Sequence, residues 1–350
     1  SYGTGYSSKI LEEEEIDFDD EFIESCAEGE ENGVPFDIAG YDVNGEEINC
    51  FPFLSGQTMG LLEGTFSMMG GYSSCGKSSW YVTIIMALLH YDRKILIISN
   101  EENVKKFKIK FMVWLLGKHN RYFKLTKKKM TAGNISKEDR EQLSSVQKFW
   151  RENYKGKVKF IAIDDANMSV VKKKIRENVL RYGYDTVLYD TFKMQEADMS
   201  NARQDLALIR DSRDLHKLAK KYNLIMLASV QLSESTRGQL FLSSMNTSNS
   251  RQLKEILENY FLMRNMYPEE FDEKSKYYCR PFRLKKINDK WIEEEYKVDP
   301  NGVYRCLFVE KARNGANSQD NGKAYILKYD GDHSIFREIA QCYPKHGEIR

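Results

Sequence analysis

The chain contains no C-x-x-C pair and only five histidines, scattered along 350 residues. Its six cysteines (Cys26, Cys50, Cys75, Cys279, Cys306 and Cys342) supply no metal-ligand spacing. This argues against a structural zinc site and for a reducing, cytoplasmic compartment. No apolar run approaches a membrane span, no secretory signal opens the chain, and no internal repeat is found. Net charge is nearly absent in the sum, +1, but not in its distribution. Residues 1–32 hold twelve acids against Lys9 alone, so they carry −11 and residues 33–350 carry +12. A body this basic is a candidate polyanion binder, although lysine-rich helices are more often solvated faces. The acidic segment also interleaves Ile16, Phe18, Phe22 and Ile23, which a purely solvating tail does not need. Two readings stand side by side: a tail, or a docking segment that lays its apolar side on a neighbouring subunit.

What is present is enough for a large core: 41% of residues are hydrophobic and 30% charged. That size suits one large α/β domain with appendages, or two domains. From residue 64 onward, strand and helix patterns alternate. Strands are expected at 64–69, 94–98, 158–163, 186–189 and 224–230, with later ones at 260–263, 304–309 and 324–329. Helices are expected at 80–89, 104–116, 137–150, 170–180 and 205–221. The helix at 104–116 should turn its lysines to solvent and Phe107, Phe111, Met112, Leu115 and Leu116 inward. Such alternation predicts an α/β fold, a largely parallel sheet flanked by helices, and the late strands read as antiparallel edge strands. Ser233 to Ser250 reads as an irregular loop, of a length that is usually functional or disordered. Residues 265–300 read as an insertion between late strands.

The chemistry begins at Gly71-Tyr72-Ser73-Ser74-Cys75-Gly76-Lys77-Ser78, the pattern G-x-x-x-x-G-K-[ST] between an expected strand and an expected helix. In that context the pattern is a phosphate-binding P-loop. Gly71, Ser73, Ser74, Cys75, Gly76, Lys77, Ser78 and Ser79 are the expected cradle, formed by backbone N–H groups at a helix N-terminus. Lys77 should reach the β- and γ-phosphates, and the Ser78 hydroxyl should ligate Mg²⁺. Cys75 reads as a small residue that fits the loop, with a thiol sensor as the lesser alternative. Hydrolysis of a nucleoside triphosphate needs further groups, and three strand ends supply candidates. Glu101, after Ile98-Ser99-Asn100, could polarise the attacking water, whereas Glu102 suits a helix N-terminus. Asp190, closing an apolar strand, fits the carboxylate that holds Mg²⁺. Gln231, after Ser229-Val230, could touch the γ-phosphate, or be ordinary strand-end polarity. Lys311-Ala312-Arg313-Asn314-Gly315 reads either as a charged hairpin or as two cations aimed at a neighbouring subunit's nucleotide.

Taken in order, these motifs resemble the replicative hexameric DNA helicases of the bacterial DnaB type, specifically their C-terminal RecA-like motor domain. The resemblance covers roughly residues 33–340. Gly71–Ser78 matches that family's P-loop, Ser99-Asn100-Glu101 its Ser-x-Glu, Val187-Leu188-Tyr189-Asp190 its Walker B strand, and Ser229-Val230-Gln231-Leu232 its sensor. Phe160-Ile161-Ala162-Ile163-Asp164-Asp165 and the helix Leu208 to Ala219 are similar to corresponding family segments, and Lys311-Ala312-Arg313-Asn314-Gly315 matches its Lys-x-Arg-Asn-Gly hairpin. The family's helical N-terminal domain has no counterpart here, Thr191-Phe192-Lys193 replaces its usual Tyr-Leu-Gln, and residues 265–300 are longer than its link. This marks a divergent, phage-like relative. The resemblance implies a RecA-like P-loop NTPase over residues 33–350, using ATP and Mg²⁺. It implies a hexameric ring that moves 5′→3′ on single-stranded DNA in replication, with a primase or loader as partner. Glu101 would act on water, Gln231 would sense the γ-phosphate, and Lys311 and Arg313 would act in trans. Arg237, Arg251 and Lys254, in or near the serine-rich loop, are the candidate DNA contacts. A RecA-like recombination or repair ATPase and an ATP-gated assembly scaffold remain alternatives.

Overall fold

The computed structural model describes residues 16–28, 33–164, 167–193, 201–243, 250–313 and 315–349. Residues 1–15 and 29–32 of the acidic segment, Asp165, residues 244–249 of the serine-rich loop, and Asn314 lie outside the described residues. Helix α1 (Asp20–Glu28) comes first, then β1 (Ala39–Tyr41), β2 (Glu47–Asn49) and α2 (Pro52–Thr58). The alternating series is β3 (Thr65–Gly71), α3 (Lys77–His90), β4 (Ile95–Ser99), α4 (Val104–Asn120), α5 (Lys127–Ala132), α6 (Lys137–Asn153) and β5 (Val158–Ala162). It continues through α7 (Met168–Tyr182), β6 (Thr186–Lys193), α8 (Asn201–Tyr222), β7 (Ile225–Gln231), α9 (Ser250–Ile256) and β8 (Asn259–Asn265). Then follow β9 (Phe282–Ile287), β10 (Lys290–Glu295), β11 (Tyr304–Ala312), α10 (Ser318–Asn321), β12 (Ala324–Asp330) and β13 (Ile335–Cys342).

Among the described residues, eleven strands form one sheet in the order β10, β9, β13, β12, β11, β8, β3, β7, β6, β4, β5. From β8 to β5 every pairing is parallel. From β8 outward through β11, β12, β13, β9 and β10 every pairing is antiparallel. The strand bearing the P-loop, β3, is therefore central, as a strand buried on both faces should be. Apolar clusters fill both faces. On one, Trp80, Ile84 and Leu88 of α3 pack with Phe107, Trp114 and Leu115 of α4. On the other, Val171 and Ile175 of α7 meet Leu215 and Leu218 of α8. Helix α3 is buried almost all round because it carries no charge after Lys77 until His90. Trp80 anchors it, with ring centroids 6.0 Å from Phe51 and 5.7 Å from Phe261. Helix α6 starts at Ser136, whose hydroxyl accepts from Asp139 N at 3.1 Å while Asp139 accepts from Ser136 N at 2.8 Å, a closed capping box. No described helix is long and apolar enough to cross a membrane.

The structure corrects several sequence expectations. The strand at 260–263 is not an antiparallel addition, because β8 runs parallel to β3. The reason is α9, a short crossover helix between β7 and β8 that returns the chain in the same direction. Residues 265–300 contain the β9–β10 hairpin, which extends the sheet edge. Strand β13 was not expected, since Arg337 and Glu338 interrupt its apolar pattern. Glu338 is nevertheless turned inward, accepting N–H bonds from Phe53 and Leu54 at the start of α2. Burial pushes its carboxyl up to about 8, outweighing those two donors. On α4, Lys110 does not face solvent but is buried against Glu102.

Candidate active site

The P-loop leaves β3 at Gly71 and closes at Gly76, the N-cap of α3. A Cβ at Gly71 would lie 2.6 Å from Cys75 Sγ. Gly76 has φ +99°, and a Cβ there would lie 3.0 Å from the Phe336 ring. Gly71 needs glycine for the close approach of Cys75, and Gly76 for its left-handed backbone as well as for the close approach of Phe336. Lys77 is buried, and its ammonium donates to Gly71 O and Tyr72 O, each at 3.0 Å. The loop thus holds the cation at its mouth. Cys75 is 1% exposed, and burial raises its thiol pKa despite the nearby cations of Lys77 and Arg305. That favours its reading as a packing residue over a reactive thiol.

Asp190 is fully buried and reaches the P-loop from β6. Its Oδ2 accepts from Ser78 Oγ at 3.3 Å, and its Oδ1 accepts from Ser229 Oγ at 2.5 Å. Burial raises its pKa; the charges of Glu101 and Glu102 add to the rise, while the Ser229 hydroxyl and Lys110 oppose it. A hydroxyl and a carboxylate oxygen side by side are hard donors, the set suited to Mg²⁺ with waters filling its remaining positions. The residues present fit that ion.

Each residue of Ser99-Asn100-Glu101 has a separate task. Ser99 Oγ accepts from the N–H groups of Glu101 and Glu102 at 3.3 and 3.1 Å, which turns the chain off β4. Asn100 clamps β4 to β6: its Nδ2 donates to Thr191 O at 3.1 Å and its Oδ1 accepts from Thr191 N at 3.0 Å. Glu101 is left exposed, lining a cavity of about 250 Å³ with Lys77, Ser78, Glu102, Lys110, Lys127 and Tyr329. Glu102, in contrast, is engaged by Lys110. Gln231 stands opposite Gly71 in the β3–β7 register, half-buried, and does not line that cavity.

Sequence reasoning missed the antiparallel side of the site. Arg305 of β11 donates from Nε to Cys75 O at 2.7 Å, and its guanidinium lies 4.9 Å from the Tyr329 ring. Tyr329 stacks on Phe336 at 4.2 Å and its hydroxyl donates to Ser79 Oγ at 3.2 Å. Lys110 and Lys127 add two cations to the cavity wall. These residues lie in no local motif. Ser229 and Asn100 were within quoted motifs, and their polar types next to a buried strand were the available signal.

The turn after Tyr329 is pinned by His333, whose Nδ1 lies 2.7 Å from Asp330 Oδ2 and whose Nε2 lies 2.8 Å from Phe123 O. Both ring nitrogens face acceptors, which favours the doubly protonated ring over the neutral one. Burial works against that charge, but the Asp330 carboxylate and the Phe123 carbonyl outweigh it, with Asp332 adding to them, and the net pKa is raised above 6.5. Stability from this contact is fully present below the unfolded value and is lost as pH rises through the raised folded value. His333→Gln should therefore lower stability by roughly 1–2 kcal/mol near pH 6 and progressively less toward pH 9. Denaturant titration of both chains across that range checks it; a constant difference would mean that the charge on the ring is irrelevant.

Lys311 and Arg313 do not approach this cavity. Strand β11 runs antiparallel to β8, so Arg305 sits at the P-loop end of the sheet and Arg313 at the other. The eight residue steps between them span roughly 26 Å. The expected basic turn is also altered, since Lys311 lies within β11 and donates to Lys254 O and Leu257 O, closing the end of α9. Arg313 binds buried Glu258 at 3.1 Å while its own side chain stays 71% exposed. Among the candidate DNA contacts, Lys254 pairs with buried Glu310 at 2.5 Å, and Arg237 pairs with Glu234 and lies over the Tyr72 ring. Arg251 is exposed, its only ion-pair contact among the described residues being Glu255 at 3.9 Å.

Residues 49–252 match the profile of the DnaB-like helicase C terminal domain. Among solved structures, the ATPase domain of G40P is similar with TM-score 0.63 and 16% identity, covering 91% of this chain and 98% of that one. A DnaB-like replicative helicase, described together with its interactions with primase, is similar with TM-score 0.62 and 16% identity, covering 91% of this chain and 68% of that one. At such identity these likenesses concern the fold. No curated protein matches the chain in sequence.

Proposed function

The chain belongs to the DnaB-like helicases through their C-terminal domain, and from that premise we propose that it is an ATP-driven ring, moving 5′→3′ on single-stranded DNA and separating duplex during replication. The observation that carries the reading is the joining of three segments: Asp190 bonds Ser78 and Ser229, and Ser78 lines one cavity with Lys77 and with Glu101, whose carboxylate has no ion pair among the described residues. In the proposed reaction, water attacks the γ-phosphorus as the bond to the β–γ bridging oxygen breaks, leaving ADP and phosphate. Glu101 orients that water and takes its proton. Backbone N–H groups of Ser73 to Ser79 hold the phosphates, and the Lys77 ammonium exchanges its two carbonyl partners for phosphate oxygens. Ser78 and Asp190 would hold Mg²⁺, which would supply neutralisation of phosphate charge. Gln231, one strand from Gly71, would read the γ-phosphate, and Arg313, with Lys311 behind it, would serve the adjacent copy. Residues 33–350 would form the motor, with 265–300 as an insertion, acting in the cytoplasm with a primase or loader.

The test is ATP hydrolysis with and without single-stranded DNA, together with strand separation on forks tailed at either end. Hydrolysis should rise with DNA, and a 5′ tail should be required for unwinding. Hydrolysis indifferent to DNA in a chain that does not assemble would overturn the motor reading. Strand pairing without unwinding would favour a recombination ATPase instead.

A further inference from the structure

Three lysines line the cavity beside the P-loop, and two of them are engaged within the protein. The Lys77 ammonium donates to Gly71 O and Tyr72 O, and the Lys110 ammonium pairs with Glu102. The third, Lys127, is half-buried, and its ammonium has no hydrogen-bond or ion-pair partner among the described residues. Burial lowers its pKa, and the Glu102 carboxylate is the strongest opposing charge, ahead of Asp332 and Asp330. Lys127 thus shares the β4 side of the cavity with Glu101 and Glu102.

The backbone beneath Lys127 is fixed. Its N–H donates to Asp332 O at 3.0 Å, and Leu125, two residues earlier, is fully buried. Thr126 Oγ accepts from Lys129 N at 3.2 Å, which starts α5 at Lys127. A cation on a pinned backbone gives up only side-chain freedom when it meets a ligand.

A half-buried ammonium without a partner is unfavourable unless an anion completes its surroundings. The cavity indicates which anion. Glu101, Glu102 and Asp190 place three carboxylates around the end of the P-loop where a γ-phosphate would lie, and that group adds further negative charge. Lys110 answers Glu102, which leaves Lys77 and Lys127 as the cavity's own cations for the phosphate oxygens.

We propose that Lys127 is a further catalytic residue, its ammonium binding a γ-phosphate oxygen of the nucleotide held by its own copy. It would offset negative charge on that group while the bond to the β–γ bridging oxygen breaks. The assignment rests on the proposed nucleotide site and not on the ring, and it adds a cation in cis to the one that Arg313 would bring from the next copy.

The test compares Lys127→Met with wild type in equilibrium binding of ADP and of a non-hydrolysable ATP analogue, and in steady-state hydrolysis. Binding of the analogue should weaken about tenfold or more, as for the loss of a charge-assisted hydrogen bond, while ADP affinity changes less than about twofold. Turnover should fall about 10²-fold, and Lys127→Arg should recover most of both losses. Lys128→Met, at the exposed next position, controls for general attraction of anions and should match wild type. All three variants should melt as wild type does, because the Lys127 side chain bonds nothing among the described residues. In co-assembled mixtures with Lys77→Ala chains, Lys127→Met should give no activity above the separate chains, since both lysines serve the same copy's site. Equal losses for ADP and the analogue, or no loss for either, overturn the assignment, and so does a gain on mixing. A wild-type chain that binds neither nucleotide overturns the nucleotide site itself, and the role of Lys127 with it.

Discussion

Glu101→Gln should lower ATP turnover by about 10²–10⁴-fold while nucleotide affinity changes by no more than a factor of a few. The substitution keeps shape and removes only the ability to take a proton. It should cost little stability, because Glu101 is exposed and its backbone bond to Ser99 Oγ is untouched. The neighbouring acid is the control. Glu102 is occupied by the Lys110 ammonium, so Glu102→Gln releases a cation beside the phosphates without removing the free carboxylate. Its effect on turnover should be smaller and should appear partly in affinity. Steady-state hydrolysis and equilibrium binding of a fluorescent nucleotide on both variants separate the two acids. Near-normal turnover in Glu101→Gln, with an inactive Glu102→Gln, would assign the base to Glu102.

That discrimination was only half legible in the sequence. Gly71–Ser78 is contiguous, and strand, loop and helix are each written locally, so the cradle could be read directly. Asp190 and Glu101 were readable as acids after apolar strand runs, because parallel α/β sheets collect chemistry at their carboxyl edge, although β6 continues past Asp190 to Lys193. Pairing between strands was not readable. Nothing near Arg305 announces that it will hold Cys75 O, since that contact exists only because β11 lies two strands from β3. Tyr329 and Lys127 reach the cavity for the same reason, through the β12–β13 turn and the segment packed on it. Charge patterning misled where burial is compensated. Lys110, on a lysine-rich helix, is a buried partner of Glu102, and Glu338, which carries no local signal of burial, caps α2 from inside. A one-dimensional pattern cannot distinguish a charge facing water from one facing a carboxylate or a helix end.

Arg313→Ala should reduce turnover about 10³-fold or more, the magnitude seen when a cation completing a phosphoryl-transfer site is lost, and should leave nucleotide binding to its own P-loop nearly unchanged. The topology makes that combination informative. Arg313 lies at the opposite end of the sheet from Gly71, so a large catalytic effect cannot arise within one copy unless the fold fails. Thermal melting guards against that case. Glu258 is buried, and its Oε1 has no hydrogen-bond partner among the described residues, so losing the guanidinium should cost some stability as well. Arg313→Lys keeps the charge over Glu258 but loses the planar fork, and should preserve melting better than activity. Lys311→Ala differs in kind, because it uncaps the α9 carbonyls of Lys254 and Leu257 and should lower stability and turnover together. The decisive measurement mixes Arg313→Ala chains with Lys77→Ala chains. Neither alone holds an intact site, but in a mixed assembly some interfaces pair an intact Lys77 with an intact Arg313 from the next copy. Activity above the sum of the separate chains places Arg313 in trans. Co-assembly without such a gain confines Arg313 to its bond with Glu258, and the site must then be completed by the cations already lining its own cavity, Lys110 and Lys127.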